Sequence, residues 1–187
     1  MNKSGEKATG RARRQERVRQ DLERYGGDIL RSAPMRRACG QTHHRHATVA
    51  EHSLRVAAAS LAICYALERL HIATDIPAVV KGALCHDLGI LGRAEKYTSM
   101  RECSRRHPLE SAETARALVR DLPDKSLDII ERHMWPVGHS KAPNSVEGLI
   151  VSAADKYAAV KDYLLGSRSG TDWISGPGTQ KEEGHGA

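Results

Sequence analysis

A chain of 187 residues with no phenylalanine, and with two tryptophans and five tyrosines as its whole aromatic complement, has to fill its interior with Ala, Leu, Val and Ile. Compact side chains of this kind suit closely packed helices better than the large cross-strand contacts of a β-sandwich. The patterning agrees. From Thr48 to Leu70, Val49, Val56, Ile63 and Leu70 recur every seven residues, with His52, Ala59 and Ala66 filling a companion seam. His52 is thereby expected to face the core.

Further helices follow from their punctuation. Asp75 can cap a helix with Pro77 in its first turn; Val79, Gly82 and Ala83 then share a face with His86, and Gly89 and Gly92 can close it. Pro108 suits a first helical position, which places His107 at or beside an N-cap. Asp124 caps a segment in which Ser126, Ile129 and Ile130 share a stripe with His133, before Pro136 stops it. The last helix is expected from Asn144, with Glu147 in a capping-box relation, to about Leu165. Within it "GLIVSAADKYAAV" is small or apolar on nearly every face, so Asp155 falls in buried surroundings. No strand-like alternation and no internal repeat is found. The expected fold is all-α, six or seven helices in one domain over residues 21–166, between a basic arm at 1–20 and a flexible tail at 167–187.

The net charge of +6 raises a nucleic-acid reading, which its location weakens. Residues 1–20 hold seven Lys or Arg against two Glu, whereas the middle of the chain is almost neutral. The arm reads as a solvated, partly disordered tail rather than an RNA-binding device. Cys39, Cys64, Cys85 and Cys103 show no CxxC spacing, so reduced thiols in a cytoplasm are expected. The longest apolar stretch, Val56 to Leu67, falls well short of the roughly 20 residues that span a bilayer.

Separate segments thus each bring a ligand-type side chain to an apolar face: His52, the doublet His86-Asp87, His133 and Asp155, with His107 at a helix start. Burying such groups singly costs several kcal/mol, and a divalent cation offsets them together. His and Asp donors without Cys suit Mn²⁺ or Fe²⁺ first, with Co²⁺, Ni²⁺ or Zn²⁺ possible, as one or two ions.

The order His52, His86-Asp87, Asp155 resembles the H…HD…D signature of the HD superfamily of metal-dependent phosphohydrolases. "EHSLRVA", "GALCHDLG", "HPLESA", "IIERHMWP" and "VSAADKYAAV" look like an uncharacterised bacterial HD hydrolase group, over roughly residues 40–165. The resemblance implies one ion held by His52, His86, Asp87 and Asp155, and a second held by His107 and His133 and bridged by Asp87. It implies an activated hydroxide attacking phosphorus in line, with Asp87 or Asp155 steering its proton. Phosphoryl chemistry also needs cationic support, for which Arg55, three residues after His52, and Lys156, beside Asp155, are the candidates. The chain departs from the HD-GYP phosphodiesterases at Ile90, where their HDxGK motif has lysine, and at Met134, where their second histidine stands. That departure counts against a cyclic dinucleotide substrate.

The expected activity is hydrolysis of a small phosphate ester, with a nucleotide as the leading class. The rivals are hydrolysis of a dinucleoside polyphosphate, and a non-catalytic, metal-stabilised HD module that binds a nucleotide or a protein. An oligomer is compatible with the sequence; a membrane partner is not expected. His43, His44 and His46 are expected at a pocket mouth or exposed, and His71, His139 and His185 at the surface or in loops. Adjacent helical residues point about 100° apart, so Cys85 cannot pair with His86 as a nucleophile. Trp135 is expected to pack near the site.

Overall fold

The computed structural model describes residues 3–44, 47–137 and 140–165, and the expected tail at 167–187 lies outside them. Eight α-helices, a two-stranded hairpin and one 3₁₀ turn make up the described residues: α1 (Lys3–Leu30), α2 (Ala33–Gly40), β1 (Thr42–His44), β2 (Ala47–Thr48), α3 (Val49–Glu68), α4 (Ile76–Cys85), the 3₁₀ turn (Leu88–Ile90), α5 (Arg93–Lys96), α6 (Met100–Leu118), α7 (Asp124–Arg132) and α8 (Val146–Leu165). The all-α expectation holds, with the two shortest helices, α2 and α5, beyond its count. No helix among the described residues is long and apolar enough to cross a membrane.

Helices α3 and α4 form the centre, with α8 against α3 and with α1 and α7 against α4, while α6 closes over the 3₁₀ turn. Thr48 starts α3 with a full capping box, its hydroxyl accepting from the Glu51 amide (3.1 Å) and the Glu51 carboxylate from the Thr48 amide (2.8 Å). Beyond Val56 the seven-residue stripe fails: Ile63 and Leu70 are exposed, and Ser60, Leu61 and Cys64 are buried instead. A straight helix drifts about 20° per heptad, which carries a strict seven-residue repeat off the core face within three turns. Asp75 caps α4 as expected, accepting from the Ala78 amide at 3.0 Å.

Several expected ends move. The arm at 1–20 continues as helix from Lys3, and Val18 and Leu22 are buried in the core with Ile29, an i, i+4, i+11 stripe hidden among charges. Arg17 sits 3.9 Å over the Tyr65 ring and reaches Glu68 at 2.7 Å, so the end of the arm is docked. Helix α6 starts at Ser99, whose hydroxyl accepts from the Glu102 amide, and Pro108 lies within it; His107 is mid-helix, not an N-cap. Helix α4 ends at Cys85, before the glycines expected to close it. Gly92 instead takes φ +73° to start α5. Pro123 rather than Asp124 caps α7. At α8 the Ser145 hydroxyl accepts from the Gly148 amide, while Glu147 reaches across to the Asp75 amide (2.9 Å).

Candidate metal centre

His86 and Asp87 stand where α4 ends and the 3₁₀ turn begins, beneath a cleft lined from β1, α5, α6, the segment after α7, and α8. His86 is the C-cap of α4 and His133 the C-cap of α7, and each Nδ1 donates back to the carbonyl three residues earlier, Ala83 O (2.8 Å) and Ile130 O (2.7 Å). Each bond serves a terminal carbonyl and fixes the ring. His107 does the same from within α6, donating to Cys103 O at 2.8 Å. His52 on α3 points Nδ1 at Asp162 Oδ2 (2.9 Å). Carbonyls and carboxylates only accept, so all four imidazoles carry a proton on Nδ1 and turn Nε2 inward, the nitrogen that is left to hold a cation when the ring is neutral.

Those Nε2 atoms meet carboxylates and one another. His52 Nε2 is 3.0 Å from Asp155 Oδ1, and His86 Nε2 lies 3.2 Å from Asp87 Oδ2 and 3.7 Å from Asp155 Oδ1. His107 Nε2 and His133 Nε2 face each other at 3.0 Å. Asp87 divides between two groups: Oδ1 looks to His107 (3.3 Å) and His133 (3.6 Å), and Oδ2 to His86 (3.2 Å), His43 (3.2 Å) and His52 (3.8 Å). His52, His86 and His133 are no more than 1 % exposed. The buried His86 Nε2 has no hydrogen-bond partner among the described residues.

Lone pairs turned on lone pairs and on anionic oxygens repel unless positive charge lies between them. For His86, burial pushes the pKa down, but the Asp87 and Asp155 carboxylates outweigh it and lift it to about 10. Burial likewise opposes a rise at His107, which Asp87 carries to about 9. His133, buried and beside His86 and His107, drops to about 3. Burial raises Asp87 and Asp155, yet the surrounding imidazoles hold both well below the usual carboxylate range. A divalent ion meets the same demand for positive charge with ligands that neutral imidazole and carboxylate supply. Three groups can each hold one: His43, His52 and Asp87; His52, His86 and Asp155; and His86, Asp87 and His133.

The family model for the HD domain matches residues 49–160. The chain belongs to the HD-domain family. Comparison with curated proteins and with solved structures finds no match. The HD domain's buried His and Asp cluster fits a divalent-metal site, and the fold is the one on which HD phosphohydrolases are built.

The cluster opens on a cavity of about 220 Å³ lined by Asp87, His107, His133 and Asp155, with Arg93, Lys156 and the apolar Ile90, Met100, Met134 and Val137 around them. Lys156 lines it, donating to Asp155 Oδ2 at 3.1 Å and to the His133 carbonyl. Arg55 is elsewhere. It is buried behind His52 with Nε 2.7 Å from Asp162 Oδ1, so it holds the carboxylate that orients His52 and does not line the cavity. Trp135 is partly exposed and outside the lining, its carbonyl accepting from the Ser152 hydroxyl. Cys85, fully buried, has its thiol pushed up to about 12 by desolvation, which removes it as a nucleophile.

Gln41 and Asp162 have no place in the sequence reading, and His43, expected at a pocket mouth or exposed, lines the cavity and also reaches the ligand cluster. His43 reaches Asp87 from β1, held by Arg93, whose Nη1 donates to the His43 carbonyl (3.2 Å). Gln41 braces the same hairpin, donating to Ile90 O (2.8 Å) and accepting from the Gly92 amide (2.7 Å). Asp162 stands seven residues after Asp155, on the same face of α8, and that spacing was its available signal. His46 and His139 lie outside the described residues, as does His185, and His71 is exposed.

Proposed function

We propose that this HD domain hydrolyses a small phosphate ester, with nucleotides as the leading class, using one or two divalent ions held by His52, His86, Asp87 and Asp155, and by His107, His133 and the shared Asp87. The observation that carries this reading is that every Nδ1 in the set is committed outward while the Nε2 atoms converge on Asp87 and Asp155, two carboxylates that open on the cavity. A bound divalent ion supplies Lewis acidity, lowering the pKa of water and neutralising phosphoryl oxygens, with Mn²⁺ or Fe²⁺ best matched to these donors.

The chain's own residues do the rest. Asp155 is the proton acceptor for the attacking water, its Oδ2 fixed by Lys156 and its Oδ1 turned to His52. Arg93 at the cavity wall meets the phosphoryl oxygens of the substrate, the role the sequence reading gave to Arg55. Ile90, Met100 and Met134 limit water around the reacting group. Among the described residues no tyrosine or tryptophan lines the cavity, which favours phosphate recognition over base stacking in selecting the ligand.

Elemental analysis of freshly purified protein, combined with a panel of phosphate monoesters, diesters and anhydrides, tests this reading. Stoichiometric metal with turnover supports it; metal with binding and no turnover favours the non-catalytic module. His133→Ala is expected to lower the metal count by about one per chain, and an unchanged count would restrict the centre to a single ion. Asp162→Asn, which weakens the acceptor for His52 Nδ1, is expected to reduce metal affinity about 10- to 100-fold in a chelator-competition titration. Wild-type affinity in that variant would show that the outer carboxylate does not orient the ring. Saturating chelator is expected to lower the melting temperature by about 5–10 °C, as loss of a ligand bound only to the native state requires. An unshifted transition would place no tightly bound ion in the native state.

A further inference from the structure

The cavity beside the cluster, at about 220 Å³, is smaller than the pockets that enclose drug-sized ligands. It is not closed. Ser104 and Met134 line it and also line a second, larger groove of about 490 Å³ that runs outward between α6 and the segment after α7. The character of the wall changes at that junction. The inner cavity is mainly apolar around the metal-type ligands, whereas the groove carries Arg105, Arg132 and Lys141 against one acid, Glu131.

The charges in the groove are unequally engaged. Arg132 is held by Asp128 and donates to Ala142 O at 2.8 Å, and Glu131 is paired with Arg116 at 3.2 Å. Arg105 and Lys141 are exposed and have no acidic partner among the described residues, so two cations are left facing the groove. At the junction, Pro108 has no N–H for the carbonyl four residues earlier, which leaves the Ser104 carbonyl without its helical donor. That oxygen repels a phosphate and suits a hydroxyl or an apolar linker, so a second anion belongs further out, at Arg105 and Lys141.

We infer that the substrate carries two phosphate groups: one is cleaved in the inner cavity, while the other, joined by a short linker passing Ser104, is bound by Arg105 and Lys141. This rests on the phosphohydrolase reading and narrows its substrate class to compounds whose two phosphate groups are separated by a short uncharged linker.

The test compares 1,4-butanediol bisphosphate with butyl phosphate on the metal-loaded protein, by turnover and by calorimetric binding. Wild type is expected to prefer the bisphosphate in kcat/KM, chiefly through KM. The double variant Arg105→Ala/Lys141→Ala is expected to reduce that preference about tenfold or more, the scale of a lost charge-assisted contact. Rising salt is expected to erode the wild-type preference in the same direction. Both substitutions are at exposed positions, and an unchanged melting temperature would verify that the variant is folded. Turnover of both compounds with an unchanged ratio overturns the subsite and keeps the hydrolase. Binding of the bisphosphate that depends on Arg105 and Lys141 without any turnover overturns the hydrolase reading and keeps the anion site. Equal binding of the two compounds by wild type overturns the subsite outright.

Discussion

Replacing Asp87 by alanine is expected to take bound metal to near zero and to reduce phosphoester turnover by about 10³-fold or more, while the chain remains folded. The size of the effect follows from how one side chain is shared. Oδ1 serves His107 and His133 at 3.3 and 3.6 Å, and Oδ2 serves His86 and His43 at 3.2 Å, with His52 at 3.8 Å. The imidazoles that Asp155 approaches are His52 and His86, at 3.0 and 3.7 Å, so it cannot replace the negative charge beside His107 and His133. The fold should tolerate the change, since a buried carboxylate is itself costly and its removal lets the imidazoles stay neutral. Asp87→Asn is the companion variant, keeping the shape and losing the charge. Elemental analysis, turnover and thermal unfolding are the measurements. Wild-type metal content in Asp87→Ala would sink the assignment of the whole centre.

Gly89→Ala is the second large effect, and it acts through the backbone. A Cβ at position 89 would stand 2.3 Å from the His107 carbonyl oxygen and 2.6 Å from the Ser111 nitrogen, both main-chain atoms of α6. The Gly89 amide already donates to Ser111 Oγ at 2.8 Å, and its carbonyl accepts from Lys96 Nζ (2.6 Å) and Tyr97 OH (3.0 Å). The 3₁₀ turn is pinned on both sides, so relief requires α6 to retreat. The expected cost is about 3 kcal/mol or more, seen as a fall in melting temperature of about 6–12 °C. His107 moves with α6, so the variant should also bind metal less fully at the His107–His133 pair. Gly27→Ala is the useful contrast, because its Cβ would meet Arg31 Nη2 at 2.6 Å, the far end of a flexible, exposed side chain that can turn aside. Equal stability of Gly89→Ala and wild type would mean that the turn and α6 are not in the close approach described.

The cluster was legible because its members are coupled to periodicity or to the doublet. His52, His133 and Asp155 ride on helical stripes, and each is buried in the folded chain. What was placed only loosely lies where periodicity is silent: His43 was expected at a pocket mouth or exposed, and its approach to Asp87 was not. His43 comes from a three-residue strand, too short to show any repeat, and it is placed by Gln41 and Arg93 contacts that span about fifty residues. Arg55 was assigned by its nearness to His52 in sequence; three residues is just under a helical turn, and the guanidinium there meets α8 instead of the cavity. Pro108 invited a helix start because proline is most at ease at such a position, but Ser99 and Glu102 supply a stronger start two turns earlier. The strict heptad misread α3 because only a supercoiled pair keeps a 3.5-residue seam aligned, and α3 packs on several neighbours.

The groups around the cavity span residues 43 to 162, contributed by β1, α3, α4, α6, α7 and α8. No fragment shorter than residues 43–162 holds the set, and its last members arrive with the final described helix. During synthesis the emerging polypeptide therefore offers an ion only a weak, incomplete grip until α8 has left the ribosome and docked. Capture of the ion becomes a late step of maturation, one that reports that both ends of the domain have found each other.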